Sequence, residues 1–186
     1  MRRLMIAAVI LFLAGALPTN AEAQMGLFLG GGMTIPQGDY AEYAKTGYIL
    51  GGGVNIMLGE SATGMFVEGF YGSNGHDVHE VDPDEKTNIY GGYLGLSYRV
   101  GDQTAPGLFL TGKLGFLNHA FDAEGAAATD DDSNWGFSYG FGAGFIYPGD
   151  TVSPWILGQY VGASTDDDST NFFPITVGLT IRGIGD

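Results

Sequence analysis

Residues 134–147 read NWGFSYGFGAGFIY. From Trp135 onward every second residue is Trp135, Phe137, Tyr139, Phe141, Ala143, Phe145 and Tyr147, and between them stand Gly136, Ser138, Gly140, Gly142, Gly144 and Ile146. Successive side chains of a strand point to opposite faces, so this strand has one aromatic face and one nearly bare face. A soluble sheet lays its bulky face on a core and turns polar groups to water. Here the second face offers neither bulk nor charge. Lipid is the solvent that suits the aromatic face, and a narrow barrel interior suits the glycine face.

Seven further segments alternate with period two and end in Gly, Asp, Asn, Ser or Pro: 25–35, 47–58, 64–72, 88–100, 107–118, 154–164 and 171–183. Each is close to the ~9–11 tilted residues that cross an outer-membrane-type bilayer. Leu27, Leu29 and Met33 oppose Phe28, Gly30 and Gly32 in the first, and Ile175, Val177 and Leu179 oppose Thr176, Gly178 and Thr180 in the last. Segment 154–164 splits cleanly in neither register, so Gln159 could face lumen or lipid. The pattern predicts an all-β fold, an eight-stranded antiparallel up-and-down transmembrane barrel. Connections 36–46, 73–87 and 119–133 are long, whereas 59–63, 101–106 and 148–153 are short. Barrels of this kind have short periplasmic turns and longer outer loops, which puts both chain ends on the periplasmic side.

Arg2 and Arg3, the apolar run 4–17 and Ala21-Glu22-Ala23 describe a secretory signal peptide over 1–23, leaving 24–186 as one barrel domain. The chain has no cysteine, so an exported product is stabilised without disulfides. Glycine supplies 33 of 186 residues, yet aromatic residues make up 13%, which disordered chains avoid, so the glycines are structural. Taking Arg2, Arg3 and Glu22 from the 7 basic and 21 acidic residues leaves 5 and 20, a formal −15 for the mature chain. Nucleic acid is thereby excluded as a partner, while divalent cations remain open.

On these residues the mature chain resembles the small eight-stranded outer-membrane β-barrel proteins of Gram-negative bacteria, of the outer membrane protein A and X type. Thr176-x-Gly178-x-x-Ile181 in the closing strand is similar to that family's C-terminal assembly signal. The chain departs from the family in ending Gly183-Ile184-Gly185-Asp186 instead of on an aromatic residue. The resemblance implies a monomer in the cell outer membrane. Its partners would be outer-membrane lipid, lipopolysaccharide and the insertion machinery.

Charges on the inward face are Glu68, Arg99, Lys113 and Arg182, and a narrow lumen requires them to pair. Glu68 and Lys113, mid-strand and two strands apart, are the expected couple. The outcome is a salt-bridged, largely plugged lumen, with a small gated pore for ions or small solutes as the alternative. Tyr48, Tyr71, Tyr90, Tyr98, Trp135, Tyr147 and Trp155 lie near strand ends, where amphipathic rings favour the membrane interface. His76, His79 and His119 are read at loop positions, the first two beside Asp77, Glu80, Asp82, Asp84 and Glu85. Asp130, Asp131 and Asp132 with Asp166, Asp167 and Asp168 concentrate oxygen ligands at one rim, where Ca²⁺ or Mg²⁺ could bind loosely. No cofactor is otherwise implied.

A lipid A-modifying enzyme would need a serine, a histidine base and an acid together near the membrane boundary. Ser73, His76 and Glu80 could supply them, but Ser73-Asn74-Gly75-His76 reverses the His-x-Ser-Asn order associated with lipid A deacylases. A soluble ligand-carrying barrel would put charge on its outer face, which these strands lack. The reading is therefore a non-enzymatic outer-membrane barrel with a structural and surface-interaction role and acidic outer loops.

Overall fold

The structure, a computed structural model, describes residues 25–58, 62–76, 86–122, 133–164 and 169–182. The signal-peptide expectation, both aspartate triplets, His79 and the acidic residues around it lie outside the described residues.

Eight strands follow in chain order: β1 Met25–Gln37, β2 Gly47–Met57, β3 Thr63–Gly75, β4 Lys86–Arg99, β5 Gly107–Asp122, β6 Ser133–Ile146, β7 Val152–Ser164 and β8 Ser169–Arg182. Each pairs antiparallel with the next, and β8 returns to β1, closing the barrel. Closure gives every strand two neighbours, so no row of backbone N–H and C=O groups is left unpaired in lipid. The β7–β8 ladder is interrupted between Gly158↔Ile175 and Val161↔Phe172, beside Pro174, which has no N–H to donate.

The alternation sorts the faces as the sequence requires. Leu29, Leu50, Leu114, Phe141 and Val177 are among the most exposed side chains, forming an apolar outer belt. Tyr48, Tyr71, Tyr90 and Trp135 ring the belt near the long connections, with Tyr71 opposite Tyr90 and the Tyr90 and Trp135 rings edge to face at 5.7 Å. Tyr98 and Tyr147 stand exposed near the short turns. Tyr98 lies eight positions beyond Tyr90 along β4. At ~3.3 Å per residue and a ~40° tilt this gives roughly 20 Å, close to an outer-membrane hydrocarbon band.

The structure departs from the sequence reading in strand length and in the placing of His119 and Trp155, and it decides the register of segment 154–164 that the sequence leaves open. Strands β3, β4 and β5 run past the aromatic girdle to Gly75, Lys86 and Asp122, so the barrel wall extends beyond the belt at the long-loop rim. His119 lies inside β5 instead of in a loop, and His76 closes an isolated bridge to Ala44. In β7 the odd positions face inward, which puts Gln159 in the lumen, almost wholly buried. Trp155 therefore faces inward too and is not an interface aromatic. Its ring lies over Gly30 and Gly178, where any Cβ would overlap it.

Candidate functional site

The lumen has two halves of different character. At the long-loop rim a 3₁₀ helix, Gly38–Glu42, folds over the mouth, its entry made by Gly38 at φ +59°. It carries Tyr40 into the barrel, where the side chain is 1% exposed and its ring sits 6.3 Å from that of His119. Burial pushes the Tyr40 phenol well above its ordinary range.

Inward polar groups tie this lid to the wall. The Asn74 amide donates to the Lys45 carbonyl at 2.7 Å and to Thr34 Oγ1 at 2.8 Å. His76 Nε2 lies 2.6 Å from Thr87 Oγ1, and His119 Nδ1 lies 3.1 Å from Thr170 Oγ1. Beneath them is an apolar layer of Ile89, Leu117, Val161 and Phe172, none more than 1% exposed.

Below that layer sits the ion pair. Lys113 Nζ is 2.8 Å from Glu68 Oε2 and 4.3 Å from the centre of the Tyr93 ring, so the cation has a carboxylate and an aromatic face as partners. Tyr93 stacks on Phe70 at 5.2 Å, and its hydroxyl meets Ser138 Oγ at 2.7 Å. Ser138 donates in turn to the Gly162 carbonyl. Beside this cluster Gln159 Nε2 donates to Thr111 Oγ1 at 3.1 Å.

Beyond the pair, toward the short turns, the lumen is hollow. A cavity of about 1010 Å³ opens at the rim formed by Met25, Asp102 and Arg182. Phe28, Phe66, Phe109 and Trp155 line it, each ring resting against a glycine of a neighbouring strand: Gly53, Gly95, Gly144 and Gly178 respectively. The bare faces of the strands are thus seats for these rings. Arg99 and Arg182 stand at this open end and not beside Glu68 and Lys113. Arg99 donates from its guanidinium to the Ala105 carbonyl. At the same end Asp102 accepts from the Thr104 N–H and hydroxyl, which hold its carboxyl below the usual carboxylate range.

Of the sequence-derived site residues, the structure brings Glu68 and Lys113 together and leaves Arg99 and Arg182 apart from them. Tyr40, Tyr93, Phe172 and the ring seats were missed. A signal for Tyr40 existed, since Tyr40, Tyr43 and Ala44 make connection 36–46 too apolar for a free loop. Among the described residues no group of three or more His, Asp or Glu is placed to hold a metal ion. Glu80 lies outside them, and His76 Nε2 is engaged with Thr87.

A closed antiparallel barrel with an apolar belt free of charge, aromatic girdles and a charged pair in its interior is an integral outer-membrane protein. The family model described as outer membrane protein beta-barrel domain matches residues 5–180, and the chain belongs to that family. Among solved structures it is similar to Neisserial surface protein A, at 11% identity, covering 86% of this chain and 97% of that chain with a TM-score of 0.63. It is similar to the outer membrane protein OprG from Pseudomonas aeruginosa, at 15% identity over 88% and 97% of the two chains with a TM-score of 0.52. It is also similar to the attachment invasion locus protein Ail of Yersinia pestis, at 16% identity over 87% and 99% with a TM-score of 0.50. At these identities the likeness is one of fold. No curated protein matches the sequence.

Proposed function

We propose that this protein is a non-conducting, non-enzymatic barrel of the outer membrane that contributes to the integrity of the bilayer and presents an acidic surface to the exterior. The observation that carries this reading is the packed layer of Tyr40, Ile89, Leu117, Val161 and Phe172 across the long-loop half of the lumen. Connections 77–85 and 123–132 leave from that rim, and Met25 and Arg182, the first and last described residues, lie at the other. Barrels of this kind turn their short connections to the periplasm and their long loops outward, which supports a periplasmic side for both termini.

The barrel acts as a monomer, because closing β1 on β8 leaves no edge strand to extend. Its loops face an outer leaflet of lipopolysaccharide bridged by divalent cations, which an acidic rim carrying Asp130–Asp132 and Asp166–Asp168 suits. Ail was solved with a heparin analogue, sucrose octasulfate. A formal charge of −14 makes such a polyanion an unsuitable ligand for the loops of this chain.

Single-channel recording in a planar bilayer tests the reading. Silence from protein shown to be inserted is the expected result. Stable conductance steps that shift on Glu68→Ala or Lys113→Ala would replace it with a small gated pore.

A further inference from the structure

The hollow half of the lumen has no part in that role. Its volume, about 1010 Å³, matches the upper end of the ~300–1,000 Å³ typical of small-molecule sites. Eight-stranded barrels either fill their interior with side chains or hold one small ligand there, and this one fills only half. The walls are aromatic and apolar, with the neutral Glu68–Lys113 pair toward the closed half, and two guanidinium groups and the Asp102 carboxylate at the mouth.

Those two arginines stand out in an acidic chain. Among the described residues no carboxylate lies within ion-pair distance of either Arg99 or Arg182. Arg99 is 7% exposed, donates one hydrogen bond to the Ala105 carbonyl, and has a buried Nε with no partner. Both arginines line the cavity, and a guanidinium matches a carboxylate or phosphate in geometry as well as charge.

We propose that the cavity binds an amphipathic anion, an alkyl chain bearing a carboxylate or phosphate head. The chain lies among Phe28, Phe66, Phe109 and Trp155, and the head meets Arg99 and Arg182 at the mouth. Apolar walls with one charged end favour such a molecule over an inorganic anion, which would leave the rings unfilled, and over a cation, which the arginines repel. On the orientation proposed above the mouth opens to the periplasm, but binding does not depend on that orientation.

Trp155 is a reporter inside the site. The Trp135→Phe protein, folded in phosphatidylcholine nanodiscs, carries no other tryptophan in the mature chain. Titration with octanoate and with hexyl phosphate should change Trp155 emission saturably, whereas octylammonium and inorganic phosphate should not. Arg99→Gln and Arg182→Gln, each shown to be folded by its heat-modifiable gel mobility, should each weaken octanoate about tenfold, the loss of one charge-assisted hydrogen bond. Bromo-octanoate should quench Trp155 in this protein and leave Trp135 unquenched in Trp155→Phe.

Equal response to octylammonium, a response that never saturates, or unchanged affinity in Arg182→Gln would each overturn the proposal. A response to inorganic phosphate equal to that of hexyl phosphate would overturn the alkyl-chain part of it. Because conductance does not enter this test, its failure leaves the non-conducting reading intact.

Discussion

Removing one partner of the lumen ion pair is the perturbation whose energy the structure defines best. Lys113 and Glu68 side chains are 3% and 17% exposed, with their charged atoms 2.8 Å apart. At an effective dielectric of ~20 that separation corresponds to roughly 6 kcal/mol of attraction. Desolvation of each ion opposes this by several kcal/mol, so the intact pair nets little. Lys113→Met removes the attraction and the contact with Tyr93 but leaves the carboxylate buried. The cost expected is ~3–5 kcal/mol. Glu68→Gln with Lys113→Met replaces both charges, and its cost should fall below about 1.5 kcal/mol, the level of a volume-conserving core swap. Urea unfolding of the vesicle-inserted protein, followed by tryptophan emission, measures all members of the cycle. A Lys113→Met protein as stable as the parent, or a double variant no better than Lys113→Met alone, would refute the buried-pair account.

Three further outcomes follow from the same coordinates. Leu94→Arg, at a position paired with Val67 and Leu114 midway between the girdles, should cost ~2–4 kcal/mol in the same unfolding assay. Gly30→Ala drives a methyl group into the Trp155 ring and should cost ~1–3 kcal/mol, whereas Gly112→Ala, with open space at its Cβ, should change stability by less than ~0.5 kcal/mol. The buried Tyr40 phenol holds its proton to higher pH in the folded state than in the unfolded one, so its contribution is complete below the unfolded value of ~10 and is lost as pH rises above that. Stability measured above pH ~10 should therefore fall less steeply with pH in Tyr40→Phe than in the parent.

Much of the architecture was legible because lipid imposes a strict period. Seven of the eight segments split into an apolar face and a face that carries glycine, hydroxyl or charged residues, and their registers follow from that split. Segment 154–164 resisted because its inward residues, Trp155, Leu157 and Val161, are as apolar as its outward ones. Apolar character decides the face only where the lumen is polar, and here the lumen is largely apolar. Trp155 near a strand end looks like an interface ring for the same reason, and only the glycines of β1 and β8 show where it goes.

The ion pair was accessible from charge balance and strand position alone. The lid was not, because Tyr40 belongs to a connection whose return into the barrel depends on Gly38, Asn74 and the Lys45 carbonyl acting together. The hollow half also escaped the sequence. Bare glycine faces are compatible with a filled narrow lumen, and the space appears only once four rings are seen to rest against them.

The assignment of faces is tested most directly by depth-dependent quenching of single tryptophans. With dibrominated phosphatidylcholine as the membrane quencher and acrylamide as the aqueous one, Trp135 in Trp155→Phe should be quenched by the lipid. Trp155 in Trp135→Phe should be quenched by acrylamide and spared by the lipid. Strong lipid quenching of Trp155, with Trp135 spared, would contradict the barrel's division into lipid-facing and lumen-facing sides.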